Sequence, residues 1–378
     1  MPRKLIIPFL LLLAVSCVRE EFPQDSPADP GQVTIRVSVP ADPFSKVSFT
    51  EDGNKLKIAW EEGDCIRVIS GEESQVFTIS NIISDHEAEF TGTAVSGTSF
   101  DILFPGTYSS VEDAEADRTS PVQTSNGSTA HLGYRALLGG VDNYTDIAFK
   151  SDWASAHGGT LKRAPAVKLQ VTLPEGVTTV KKAGVVLGGE NYTVPISGVD
   201  VSESAQVLTA YLMLPWVDIP LADGSRIPVY VVDTENEAYG ADRTITGGDK
   251  TILQGRLNSL TGITLSLQDF VAGDGSAANP FLIANARQLN NMHTVMVNNT
   301  SYCFRLLEDI DASSIGNWTP LNTASGFSKA MDFDGDGHTI SGLTSIGTNY
   351  ASFSGVLNGH IHDVTFDNAT INHNSKIV

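Results

Sequence analysis

From Val33 onward, apolar and polar residues alternate with a period of two: Val33-Thr-Ile35-Arg-Val37-Ser-Val39, Leu56-Lys-Ile58 and Val167-Lys-Leu169-Gln-Val171. Successive strand side chains point to opposite faces, so each run predicts a strand with one face on a core and the other in solvent. Further strand-like runs occur at 65–69, 76–79, 180–187, 207–214 and 227–232, punctuated by Gly, Pro, Asn and Asp. No long amphipathic helical pattern precedes residue 280. The spacing predicts an all-β fold over 32–268, as one large β-sandwich or two small ones in series.

The pattern then changes. Residues 269–280, which include Gly-Asp-Gly-Ser-Ala-Ala-Asn-Pro, read as a linker and turn. Asn285 followed by Gln288 predicts a capped helix start, with Leu289, Met292, Val295 and Met296 on one face of a short helix. That stripe is expected to pack as core and to cover the open end of the adjoining C-terminal domain. Beyond the helix, Ile340 and Leu343 recur as Ile361 and Val364, at an offset of 21 in both cases (361 − 340 and 364 − 343). A period near 20 with short strands predicts coils of a right-handed β-solenoid within 281–378, stacked to bury a shared core. Two coils fall short of the three or more that solenoids use, so a truncated form of a longer chain is expected.

At the other end, Arg3 and Lys4 precede the apolar run Leu5 to Val15, too short for a membrane-spanning helix of about 20 residues. Residues 1–16 read as a signal peptide. Ala14 and Ser16 just before Cys17 resemble a bacterial lipobox, which implies an acylated cysteine at the start of the mature chain. Val18-Arg19-Glu20-Glu21 resembles the export signal of lipoproteins flipped to the outer face of the outer membrane. Residues 17–31 are then a lipidated cysteine and a flexible tether rich in Pro, Asp and Gly.

Composition narrows the partners. A net charge of −20 over 378 residues repels phosphate backbones, and no basic patch with interleaved aromatics exists, so nucleic acid is not an expected partner. With Cys17 assigned to lipid, Cys65 and Cys303 are expected as two buried free thiols.

Lys46-Val-Ser-Phe49 precedes Trp60-Glu-Glu-Gly63-Asp64, which leads into Ile66-Arg-Val68. These residues, with Ala88-Glu-Phe90-Thr-Gly92, Phe100-Asp-Ile-Leu-Phe104-Pro105 and the later Leu253-Gln-Gly255-Arg-Leu-Asn258, resemble the fimbrillin-like family of surface lipoproteins. The resemblance implies pilus subunits, anchors or tips, and partners joined by strand donation after proteolysis near the N-terminus. Arg36 as the cleavage residue falls inside a predicted strand, and Arg19 lies close to the lipid, so an anchor, a tip or a stand-alone adhesin is expected rather than a shaft subunit. Physically, the Trp60–Asp64 element reads as a strand end with a buried indole, a glycine at positive φ and an aspartate capping the turn. Its two glutamates are adjacent and point to opposite strand faces, which argues against a paired-carboxylate catalytic site.

Trp318-Thr-Pro320, Phe333-Asp-Gly-Asp-Gly337-His-Thr-Ile340-Ser-Gly-Leu343 and Phe353-Ser-Gly355 resemble GLUG-type repeats of bacterial surface proteins. Asp332-Phe-Asp334-Gly-Asp336-Gly337 begins like an EF-hand loop, but its twelfth position is Leu343 where a bidentate Glu is required, so it reads as a solenoid turn. His360 and His362 share a strand face without an evident third ligand, so no metal is expected. The chain carries no G-x-S-x-G elbow, phosphate loop or H-E-x-x-H. The expected function is a non-enzymatic, cofactor-free surface lipoprotein that mediates adhesion to surface glycans or proteins. The alternative is a polysaccharide-binding or polysaccharide-degrading β-helix protein, which would need a charged solenoid groove, or a cleft lined by Trp318 and Tyr350.

Overall fold

A computed structural model describes residues 31–38, 51–52, 55–56, 59–85, 87–110, 112–113, 121–129, 131–132, 137–141, 147–148, 162–163, 165–215, 218–253, 256–296, 301–323 and 330–373. Cys17, Lys46 and Phe49 lie outside the described residues. The fold is all-β, with the described strands in three units.

The first unit comprises β1 (Gln32–Ser38), β2 (Glu51–Asp52), β3 (Lys55–Leu56), β4 (Cys65–Ser70), β5 (Glu73–Ser84), β6 (Glu87–Thr93), β7 (Phe100–Phe104), β8 (Leu137–Val141), β9 (Ile147–Ala148) and β10 (Lys162–Arg163). Eight of them form one continuous ladder in the order β10-β8-β7-β4-β5-β6-β1-β9, antiparallel except where β1 meets β9. Inward residues from across this sheet, Ile35, Val37, Ile66, Val68, Phe77, Phe90 and Ile102, meet in one core. The sheet therefore curls around its own apolar face. Trp60 packs into this core with its ring edge-on to Phe90 (5.1 Å) and Phe104 (5.3 Å), an arrangement the aromatic quadrupole favours.

The second unit comprises β11 (Ala166–Thr172), β12 (Thr179–Leu187), β13 (Glu190–Asp200), β14 (Val207–Met213), β15 (Ile219–Leu221), β16 (Arg226–Asp233), β17 (Ala238–Thr244), β18 (Lys250–Ile252), β19 (Leu257–Thr264) and β20 (Ser266–Leu267). A three-stranded sheet, β14-β11-β19, faces a five-stranded one, β13-β12-β16-β17-β20. Between them lies a core that includes Val167, Leu169, Val171, Val185, Val194, Leu208, Leu212, Val229 and Val231. Burying each such aliphatic side chain contributes roughly 1.5–3 kcal/mol. The alternation read from 167–171 follows from this arrangement, because one face of β11 is core. The span 32–268 thus holds two cores, joined by a smaller apolar cluster of Leu103, Leu132, Ala166, Tyr211, Met213 and Leu257.

A segment of 121–129 closes the gap between β13 and β14. Gln123 bonds through its backbone to Pro195 and Ser197 (both 2.9 Å). Its buried side chain donates to the Thr209 carbonyl (2.8 Å) and accepts from the Tyr211 N–H (3.0 Å), so an amide side chain stands in for a strand. Asn126 repeats the device, accepting from the Thr209 N–H (2.7 Å) and donating to the Val207 carbonyl (2.9 Å).

The third unit comprises β21 (Phe281–Ile283), helix α1 (Ala286–Val295), β22 (Tyr302–Leu306), β23 (Ile310–Asp311), β24 (Met331–Asp334), β25 (Thr339–Ser341), β26 (Thr344–Gly347), β27 (Gly359–His362), β28 (Thr365–Asp367) and β29 (Thr370–His373). The strands stack in parallel on three faces, β21-β22-β24-β27, β23-β25-β28 and β26-β29, which is a β-solenoid. Asn285 caps α1 by accepting from the Gln288 N–H (2.9 Å), and Gln288 reaches back to the Ala284 N–H (2.9 Å). Leu289, Met292 and Met296 enter the solenoid core beside Phe304 and Trp318, and Val295 packs against it half-buried.

Two expectations change here. The coil offset is not 21: β24 to β27 is 28 residues (359 − 331), and β25 to β28 is 26 (365 − 339). Ile361 lies opposite Phe333, and Ile340 lies opposite Phe366. Each coil carries several short strands with one inward apolar residue and a Gly or Asp turn. Self-comparison therefore aligned a strand of one face with a strand of another. Phe333, Ile340, Leu343 and Phe353 are buried in the solenoid core, and Ile361 and Val364 pack against it partly exposed. Nor is 269–280 a loose linker. Phe270 and Val271 are buried, the Val271 N–H donates to the Leu282 carbonyl (2.8 Å), and the Leu282 N–H returns to Ala272 (3.0 Å).

Candidate functional site

The Trp60–Asp64 element is a structural turn in this geometry. Gly63 has φ +94°, where a side chain would be strained, and Asp64 Oδ2 accepts from the Glu61 N–H (2.7 Å). Burial pushes the Asp64 carboxyl up to about 6, against the smaller opposing effect of that backbone hydrogen bond. Cys65 and Cys303 are free and half-buried rather than fully buried, and burial raises both thiols.

Between the second unit and the solenoid runs a seam. Its apolar part joins Val186, Tyr230, Val232 and Ala238 to Val271, Leu282, Ala284 and Leu307. Its polar part is deeper than an ordinary surface contact. The fully buried Tyr230 hydroxyl donates to Glu308 Oε1 (3.0 Å), Lys182 pairs with the same carboxylate, and Asn191 donates to the Leu307 carbonyl (3.1 Å). Burial, and then the Glu308 charge, push the Tyr230 phenol well above its ordinary range, so it stays a donor. Gly184, cross-strand from Tyr230, leaves room for its ring, and Gly240 allows the close approach, since a Cβ there would meet the Val271 carbonyl oxygen at 2.2 Å.

Beside the seam opens a cleft of about 740 Å3, lined by charged and amide side chains. Its basic groups are already engaged. Lys182 is held by Glu308, Arg287 by Glu237 (2.8 Å), Lys181 by Asn236, and His338 faces Asp309 (3.3 Å). The cleft therefore reads as the solvated flank of a structural joint.

The second arrangement lies on the outer face of the solenoid. Parallel register puts Cys303 beside Asp332 beside His360, and Arg305 beside Asp334 beside His362. Charged residues thus form two adjoining columns across three coils, a charged strip that two sequence repeats did not reveal. His362 Nδ1 lies 2.8 Å from Asp363 Oδ2 and 3.7 Å from Asp334 Oδ1, and its Nε2 is 3.7 Å from Asp332 Oδ1. The Asp363 hydrogen bond holds the His362 imidazole above its ordinary range. His362, not His360, gathers the neighbouring carboxylates, Asp363 beside it and Asp334 from the preceding coil, 28 residues away, so only the coil register reveals the cluster. Asp336, by contrast, is taken by Arg305 Nε (3.2 Å), and Asp334 Oδ1 accepts from the Asp336 N–H (2.8 Å). The Asp332-x-Asp334-x-Asp336 run is therefore divided between a strand face and an ion pair.

The glycan cleft that Trp318 and Tyr350 would have lined is not formed. Trp318 is buried in the solenoid core, stacked on Phe353 (5.1 Å, 4° between planes) and bonded through Nε1 to the Phe353 carbonyl (2.9 Å).

Scanned against known proteins, the chain matches no family model and no curated protein. Among solved structures it is similar to one described as "a putative immunoglobulin A1 protease from Bacteroides ovatus", with 38% identity over 27% of this chain and 30% of that chain, and a TM-score of 0.26. The match spans less than a third of either chain and carries no argument about fold or activity.

Proposed function

We propose that the chain is a non-enzymatic lipoprotein of the outer-membrane surface, anchored through Cys17, whose two β-units hold the solenoid away from the membrane as an adhesive or pilus-associated display surface. The observation that carries this reading is the seam. A buried hydroxyl–carboxylate–ammonium network at Tyr230, Glu308 and Lys182, set in apolar packing, fixes the solenoid to its neighbour as a stiff extension. Independent domains on flexible tethers do not need such a joint. β1 is paired on both edges, to β6 and β9, and Arg36 faces Glu87 and Glu89 (3.6 Å each). Cleavage at Arg36 would require a ladder strand to open first, which favours an anchor, a tip or a stand-alone adhesin over a shaft subunit. The charged strip keeps a polysaccharide-acting role in view, but its guanidinium, Arg305, is tied to Asp336 and to the Gly189 carbonyl (2.6 Å).

The anchor is tested in a Gram-negative host. The wild-type chain is expected in the detergent phase after Triton X-114 partition and to incorporate labelled palmitate, whereas Cys17→Ser loses both. Retention of the label in Cys17→Ser would overturn the assignment.

A further inference from the structure

We propose that Asp334, His362 and Asp363 form a site for a divalent transition-metal ion of the zinc class, which clamps the β27 coil to the β24 coil. One ligand atom from each of the three residues lies within 4.8 Å of the other two. A tetrahedral zinc ion with bonds near 2.0–2.1 Å holds its ligand atoms about 3.3 Å apart. The present separations from His362 Nδ1, 2.8 Å to Asp363 and 3.7 Å to Asp334, bracket that value. Small side-chain rotations complete the geometry.

Three further features favour an ion over a simple hydrogen-bonded cluster. The ligands come from two coils whose register is fixed by backbone pairing of Asp334 with His362, so the chain has already met the cost of bringing them together. His362 presents its other ring nitrogen, Nε2, toward Asp332 at 3.7 Å. A carboxylate that closes from there to hydrogen-bond distance on the far nitrogen orients a metal-bound imidazole and raises its basicity. Finally, Asp334 and Asp363 line a groove of about 500 Å3 between the two coil turns, which leaves room for the water that completes an open zinc site. One imidazole and two carboxylates suit zinc or manganese, whereas calcium asks for six or more oxygens. Asp336 also lines the groove, but Arg305 holds it, so it adds none. The two ligand carboxylates match the charge of a divalent ion.

The test uses the full chain without a polyhistidine tag, stripped of metal by chelator, and titrated with zinc chloride by calorimetry at pH 7.5. The wild type is expected to take up one zinc. Affinity is expected to fall at least tenfold in His362→Gln and in Asp363→Asn, and to stay unchanged in His338→Gln, whose imidazole lies on another face. Cobalt(II) should give a visible absorption band that the two variants lose. Zinc should slow amide exchange across 359–373, and calcium should not. Metal-free melting curves confirm that each variant is folded, and the exposed Asp363→Asn serves if His362→Gln is not. No saturable uptake by the wild type, uptake unchanged in both variants, or protection by calcium instead of zinc would overturn the proposal.

Discussion

Asp64 sits where local chemistry and burial pull against each other. Its carboxylate caps the turn after Trp60, yet burial of the group outweighs that hydrogen bond and favours its neutral form. With the folded value near 6 and the ordinary value at 3.8, the sign follows from linkage. The protonated form is favoured by folding, so the stability from this group is fully present below pH 3.8. It is lost as pH rises through 6. Asp64→Asn keeps an acceptor for the Glu61 N–H and removes the charge. It is expected to flatten the pH dependence of the melting temperature between pH 4 and 7 and to leave the variant at least as stable as wild type at pH 7. A variant clearly less stable at pH 7, with the slope unchanged, would contradict this. The turn was legible in the sequence because its chemistry is local: an aromatic anchor, a positive-φ glycine and an Asx cap lie within five residues. The aromatic packing of the anchor was not legible, because Phe90 and Phe104 reach Trp60 from other strands.

At the scale of elements, alternation located strands such as β6 and β11, whose one buried face is a property of each strand alone, whereas β16 is buried on both faces from Ile227 to Asp233 and reads as an apolar run. The 121–129 segment escaped that reading. It is held by Gln123 and Asn126 side chains rather than by alternating apolar residues, and polar amides in a loop carry no periodic signal. Replacing Gln123 with Ala leaves the buried Tyr211 N–H without its partner, whereas the Thr209 carbonyl loses one donor and keeps the Gly127 N–H (2.9 Å). At about 1–3 kcal/mol for one unpaired buried group, denaturant titration should show a loss of about 1–3 kcal/mol. Gln123→Glu should be nearly as harmful, because a carboxylate cannot donate to Thr209. The solenoid offset was misread for the opposite reason, an excess of signal. Short strands on different faces share one pattern, and only the pairing of Phe333 with Ile361 and of Ile340 with Phe366 separates them.

At the scale of the molecule, the joints decide behaviour, and they were invisible in the sequence. Tyr230 and Glu308 are 78 residues apart, and Lys182 and Glu308 are 126 apart, too far for any local pattern. The apparent linker at 269–280 hid the joint further, since its Gly, Ser and Asn residues line a turn while Phe270 is buried in the solenoid core and Val271 in the seam. Gly240→Ala puts a methyl group against the Val271 carbonyl oxygen, a backbone atom that moves only with the joint. The expected outcome is a calorimetric trace in which solenoid and second β-unit melt separately. Amide exchange should also become faster over 270–284. A single transition at the wild-type temperature would mean that the joint tolerates the methyl group and that the close approach at Gly240 is not what couples the two.

A rigid β-chain displayed at the cell surface must be open to protease on living cells, and surface proteolysis tests that most directly. Intact cells are shaved with protease, their appendages are sheared off and purified, and both fractions are probed for this chain. Solenoid and β-unit peptides released from intact cells are the predicted result, with recovery in the sheared filaments marking an anchor or tip and absence from them a stand-alone adhesin. A chain that survives shaving and is cleaved only after the outer membrane is broken would contradict surface display.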